Sequence, residues 1–412
     1  MIVNYEFLHR SPILIRLQDH ECAGLHVPNW HSSRRTSRII WMILAKILEI
    51  CVVVQRVIPQ FLLRRFSTTP VKQYKDKKNR TQKVQGDMTV KAVKLGKYPP
   101  ELTETPIKRT FGQYDMYKDN SKFSSKEQKY MKEKLSVIEG HASRIIARII
   151  NAHKASKDGI TLSRPDKDLL RKFLFVMKYR SPIFFRRFNP QTAEGYNSDD
   201  QTEFLSYMRA ANKERPLDVW FDNLLQIIDK PMDPGGHWIT ELAGSIYPAD
   251  ASWIFINIRT MYLAFVTPAD TQEEFILTEN AFSIHEGPVS LSVDRITGKQ
   301  TMTGYTEYHL LHVISPQLAL VLRHNLLPNP LEDLDPKLRD KRKRMLAYET
   351  MVHIDPERAK VSMLHDLPVK KARSSYTTMK SGRLVLAEGA DGKPRSSDKF
   401  HFQFFHLESR HT

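Results

Sequence analysis

Several polar residues of this sequence stand at the ends or flanks of apolar runs, where a fold can gather them into a site. Arg180 closes a helical stretch, Thr278-Glu279-Asn280 closes a short β-rich run, His309 lies in the next such run, and Glu139 flanks an apolar helical stripe. Their chemistry is complementary. A guanidinium holds an anion, a carboxylate transfers a proton or binds a metal, and a hydroxyl and an amide orient a ligand. The same residues also have a structural reading. A cation at a helix C-terminus gains roughly 0.3–1 kcal/mol from the helix dipole. Glu279 and Asn280 can fix a turn, and an Arg–Glu bridge can join helices to a sheet. His309 and His312 are three residues apart, so in a strand they face opposite sides and do not chelate one metal.

Complete catalytic signatures are missing. The sequence has no phosphate-binding GxxxxGK[ST] loop, no GxGxxG, no GxSxG, no HExxH and no CxxC. His20-Glu21-Cys22-Ala23-Gly24-Leu25-His26 has the wrong spacing for a zinc protease helix. Cys22 and Cys51 are too few for a disulfide framework or a four-thiolate zinc site, which points to a reducing compartment, cytoplasmic or nuclear. No metal is expected, and no cofactor or catalytic residue is named by the sequence.

The net charge of +17 draws acidic partners, either nucleic acid or an anionic surface. Two stretches carry it. Residues 64–109 are crowded with Lys and Arg and contain Pro70, Pro99, Pro100 and Pro106, which reads as a basic loop, flexible over 67–109. Residues 337–344, KLRDKRKR, read as a solvated face, a nuclear address or a nucleic-acid patch. The apolar run Ile39–Val54 is short of the roughly 20 residues of a membrane span. Lys46 and Glu49 would each cost roughly 2.5–3.5 kcal/mol at the bilayer centre. The run reads as core-packed or as an extension, with an anchor or targeting segment as the alternative; membrane association is the less favoured class.

The elements that must position the polar residues follow from periodicity. From Ser124 and Glu127, a capping box, Met131, Leu135, Ile138, Ala142, Ile145 and Ile149 form one helical stripe. A second helix opens at Ser163, with Pro165 in its first turn, and stops at Arg180 before Pro182. Further helices are expected at 199–211, 217–229 and 237–246; about 250–259 reads as a helix or, from the alternation of Ile254, Ile256 and Ile258, as a strand. Strands are expected at Tyr262–Val266, Phe275–Thr278, Thr306–Ile314, Leu318–Leu322 and Phe400–Phe405, with Ser315-Pro316 turning an antiparallel hairpin. Helices followed by strands predict an α+β fold, a helical N-terminal half packed on a small, mostly antiparallel sheet.

Ordered motifs carry a family resemblance. Gln55-Arg56-Val57-Ile58-Pro59-Gln60-Phe61-Leu62-Leu63-Arg64-Arg65-Phe66 resembles the opening of the domain of unknown function 4238 family, most closely its fungal branch. The resemblance continues through Tyr114-Asp115-Met116-Tyr117, Ile138-Glu139, Arg180-Ser181-Pro182, Phe275 to Phe282, Tyr308-His309 and Ile314-Ser315-Pro316. Arg56 stands where the family usually has histidine, and Thr278-Glu279-Asn280-Ala281 where many members have Ser/Thr-Asp-Asn-Pro. The resemblance implies a fold over 55–330, after a non-family extension 1–54 and before a charged, Pro-containing segment 331–412. The favoured function is non-catalytic binding or regulation with an acidic partner. The alternatives are a metal-dependent phosphoester hydrolase or nuclease using Glu279, and a membrane-associated protein.

Overall fold

The computed structural model describes residues 54–56, 58–68, 71–75, 81–85, 88–94, 101–107, 110, 112–114, 125–198, 200–278, 289–293, 300–305, 309–325, 327, 336–350, 367–380 and 383–408. The expected extension 1–54 and the capping residue Ser124 therefore lie almost wholly outside the described residues. The chain divides into two compact units, one ending at Gln128 and one running from Lys129 to Thr412.

The first unit contains β1 (Val54–Arg56), α1 (Gln60–Leu63), β2 (Ser67–Thr68), β3 (Val71–Lys75), β4 (Thr81–Gln85), β5 (Thr89–Lys94), β6 (Glu101–Pro106) and β7 (Gly112–Tyr114). β1 pairs with β7, β3 with β4, and β2, β5 and β6 form a three-stranded sheet. The expectation of a loop without regular structure over 67–109 is thus corrected wherever this stretch is described. Thr89–Lys94, TVKAVK, is β-branched or small apart from its two lysines, a composition that a search for helical stripes passes over. Val90 and Ile107 are buried. Lys91 faces Glu104 and Lys94 faces Glu101 across the β5–β6 ladder. Opposite charges in such positions stabilise a pair of strands by roughly 0.2–1 kcal/mol. Two of the acids that interrupt the basic run, Glu101 and Glu104, therefore stand in register with its lysines.

The second unit is α+β. It runs α2 (Ser125–Lys154), β8 (Gly159–Ser163), α3 (Arg164–Tyr179), α4 (Pro182–Arg186), α5 (Gln201–Ala210), α6 (Pro216–Asp229), α7 (His237–Ala243), α8 (Pro248–Phe255), a π-helical turn (Ile256–Thr260) and β9 (Met261–Pro268). Then follow β10 (Val289–Val293), β11 (Gln300–Tyr305), β12 (His309–Ser315), β13 (Leu318–His324), α9 (Pro336–Thr350), β14 (Arg373–Ser374), β15 (Thr377–Lys380), β16 (Arg383–Leu386) and β17 (Lys399–Leu407). The stripe of α2 is buried as its spacing predicts, from Met131 to Ile149. Ser163 caps α3, its hydroxyl accepting the Asp166 N–H at 3.3 Å, and Arg180 ends it. Ser181 then caps α4. The Pro182 that stops one helix is the first residue of the next.

The main sheet has the order β12-β13-β9-β17-β14, with β8 also pairing β17. It is antiparallel except for β17 against β9, which run parallel from Phe404↔Phe265 to Leu407↔Pro268. β12 and β13 form the expected hairpin around Pro316-Gln317. β9 and β13 are buried along their whole lengths, whereas β17 alternates, with Phe400, Phe402 and Phe404 turned inward. At the β8 edge, a side chain on Gly159 would overlap the Phe402 carbonyl, so only glycine permits this approach.

The strand expected at Phe275–Thr278 does not form. Residues 273–278 are irregular, held to the hairpin by the Phe275 N–H donating to the Pro316 carbonyl at 2.7 Å. The four residues follow Glu273 and Glu274, are exposed or half-exposed, and join no ladder among the described residues.

Candidate functional site

Three of the six expected polar residues, Arg180, Glu139 and His309, lie in two side-chain pairs. Arg180, 4% exposed at the end of α3, donates from Nη1 to Glu139 Oε1 on α2 at 2.8 Å. His309, at the start of β12, is fully buried opposite Arg323 on β13, with its Nε2 3.0 Å from Arg323 Nη1. A guanidinium only donates, so His309 Nε2 accepts and the neutral ring carries its proton on Nδ1. Thr278 is exposed in the irregular segment, and Glu279 and Asn280 lie outside the described residues. His309 and His312 sit in a strand, on opposite faces, as the strand reading requires. Among the described residues no three His, Cys, Asp or Glu side chains gather as metal ligands.

A larger polar network carries no motif in the sequence. Asp250, in the first turn of α8 and 2% exposed, accepts from Tyr179 at 2.9 Å, from the Asn223 amide at 3.0 Å and from Arg187. Asp200 accepts from Tyr196 at 2.9 Å and Tyr247 at 2.8 Å, and lies 3.8 Å from Arg187. Arg187 packs over the rings of Phe184 and Phe188 at 4.2 and 4.5 Å. Burial pushes the Asp250 carboxyl up, against the pull of Arg187, Tyr179 and Asn223. Burial alone would lower Arg187, but the Asp250 carboxylate reverses this and leaves it raised. The carboxylates, amide and phenols pair with one another and with the Arg187 Nη groups inside an aromatic shell, while Arg187 Nε meets no acceptor among the described residues; the arrangement fixes α3, α4, α6 and α8 relative to one another.

A cavity lies on another face of α3. Its polar lining is Arg171 and Lys172 of α3, Asn257 of the π turn and His312 of β12; its walls include Phe175, Trp238, Leu310 and Leu322. Leu310, His312 and Leu322 share one face of the β12–β13 hairpin, which is why these three meet α3. Arg171 donates to the Ile258 carbonyl at 3.0 Å and the Met261 carbonyl at 2.6 Å. Lys172 donates to the carbonyls of Ile228 and Lys230, at 2.7 and 2.8 Å, where α6 ends. A π turn widens a helix and occurs often at ligand sites.

Comparison with protein families gives one match, to the family described as "Protein of unknown function (DUF4238)", over residues 55–385. The chain belongs to this family. No curated protein and no solved structure matches the chain. The DUF4238 span includes every expected site residue and the cavity, and it extends past the boundary at 330 that the motifs suggested. β17, which completes the main sheet, lies beyond it.

Within this DUF4238 unit two lysines of α3 carry an unusual electrostatic cost. Burial lowers both Lys167 and Lys172 to about 8, opposed by Asp168 and Asp229 respectively. A folded-state value below the unfolded one means that the unfolded chain holds more protons between about pH 8 and 10, so stability rises with pH there. Above pH 10 the buried phenols Tyr179, Tyr196 and Tyr247, all raised by burial, reverse the trend. The thermal midpoint is expected to climb from pH 7.5 to 9.5, with a smaller climb in Lys172→Met. A flat or falling profile contradicts this account.

Proposed function

We propose that the protein is a non-catalytic binding protein for an acidic partner, and that α9 is its contact surface. The observation that carries this reading is the exposure of Lys337, Arg339, Lys341, Lys343 and Arg344 along α9, with Asp340 among them. At 100° per residue these cations distribute around the helix instead of lining one side. Within 337–344 only Leu338 is apolar, and the other apolar residues of α9, Met345, Leu346, Ala347 and Tyr348, follow in its last turns, so the cationic stretch itself lacks the apolar face by which an interfacial helix enters a membrane. A nucleic-acid phosphate backbone, which accepts cations from several directions, fits better.

Two further parts of the reading rest on sequence. The basic composition and the two cysteines accord with a cytoplasmic or nuclear protein. The ordered motifs from Gln55 to Pro316 favour the fungal branch of the family. Among the described residues no helix is long and apolar enough to cross a membrane.

The test is duplex binding measured against salt. Neutralising Lys341, Lys343 and Arg344 to Gln removes up to three cations from the phosphate backbone. The slope of log affinity against log salt should then shrink by roughly 0.9 for each phosphate that is no longer neutralised. Vesicles with anionic lipid form the second arm. Binding that is indifferent to salt and to these substitutions would sink the reading, and retention on vesicles alone would redirect it to an anionic surface.

A further inference from the structure

Arg171 and Lys172 are adjacent on α3, line one cavity, and are both half-buried, with Asp168 and Asp229 near enough to act on them electrostatically but with no carboxylate in direct ion-pair contact among the described residues. Their hydrogen bonds all run to main-chain carbonyls: Ile258 and Met261 for Arg171, Ile228 and Lys230 for Lys172. The nearest acids are engaged elsewhere, Asp168 with Lys167 at 3.5 Å and Asp229 with Lys134 at 2.9 Å. Carbonyl dipoles solvate a cation but do not neutralise it, and buried charges are otherwise paired. The Arg171 Nε–H is also buried and meets no acceptor among the described residues. A buried donor of this kind is destabilising when left unsatisfied.

The cavity limits what can answer that charge. Its free space is about 20 Å³, and a single water needs roughly 10–15 Å³ on this measure. Its walls are apolar apart from Arg171, Lys172, Asn257 and His312. A phosphate or sulfate is too large and too heavily hydrated to enter such a space. We propose that the cavity is a binding site for a small monovalent anion, a halide or the smallest carboxylate, formate. The Arg171 and Lys172 charges attract it, the Arg171 Nε–H donates to it, and the π turn Ile256–Thr260 closes over it. The site is independent of α9 and of the acidic-partner reading.

The experiment uses the full chain exchanged into gluconate at constant ionic strength. Titration with chloride, bromide or formate should raise the thermal midpoint saturably, by several degrees, while sulfate at matched ionic strength does not. A halide and a carboxylate source are distinguished by which titrant saturates at the lower concentration. Arg171→Met should abolish the shift while leaving duplex binding intact. Should that variant fail to fold, hydrogen exchange on the wild-type chain decides instead. Chloride-dependent protection confined to the π turn and the Arg171 turn of α3 supports the site. A midpoint that follows ionic strength alone, or protection that is absent or spread evenly over the chain, overturns it.

Discussion

Asp250→Ala is expected to lower the unfolding free energy by roughly 3–5 kcal/mol, the range for removing one partner of a buried ion pair. The loss reaches beyond the pair. Tyr179 and Asn223 lose their acceptor, and among the described residues Arg187 keeps Asp200, 3.8 Å away, as its counter-charge. Domains of this size are commonly stable by only 5–15 kcal/mol, so the change is a large fraction of the whole. Urea unfolding measures it. Arg187→Met should cost a similar amount, and the double variant much less than the sum, because each single change strands the other charge. A cost below about 1 kcal/mol for Asp250→Ala, or additivity, would show that the network is not the hub that holds α3, α4, α6 and α8 together.

Set against this network, the residues that the sequence makes conspicuous show what kind of structure a sequence encodes locally. Periodicity and capping are local, and they locate α2 and α3 well: the stripe from Met131 to Ile149, the Ser163 cap and the stop at Arg180. The β12–β13 hairpin is legible for the same reason, two β-rich runs around Ser315-Pro316. Pairings between distant segments are not legible. β8 is only five residues long and draws its partner from β17, more than two hundred residues later. Arg187 and Asp250 carry no signal. One follows another arginine after a short helix, and the other resembles an acid placed to suit a helix dipole. Arg180 and Glu139 each stand out in the sequence, but their pairing across helices needs the fold. The strand expected at Phe275–Thr278 fails because local β character does not supply a neighbour to pair with. The strands within 67–106 are hidden because they are short, rich in charge and carry no regular apolar alternation.

The long-range closure of the sheet yields the second large effect. Asp398 directly precedes β17 and Arg164 directly follows β8, so their contact locks the end of that ladder beside the Lys399↔Ser163 pair. Arg164 Nη2 donates to Asp398 Oδ2 at 2.6 Å and its Nε at 3.1 Å; the Arg395 N–H reaches the same oxygen at 2.8 Å. The guanidinium also lies 5.1 Å from the Phe400 ring centre. Both side chains are nearly buried, at 10% and 7% exposure. Burial opposes the charge on Asp398, yet the Arg395 N–H and Arg164 hold its carboxyl below the usual range. This stabilisation is present at neutral pH and is lost as the carboxylate protonates in acid. Asp398→Ala should therefore cost about 3 kcal/mol or more at neutral pH, and hydrogen exchange should quicken first in β8, β14 and β17. The comparison that isolates burial is Arg148→Ala. Arg148 holds Asp166 at a similar 2.8 Å, but its side chain is 52% exposed, and exposed pairs contribute about 0–1 kcal/mol. Equal losses from the two substitutions would mean that burial does not set the strength of the clasp, and that β17 is held by its ladder and its phenylalanines alone.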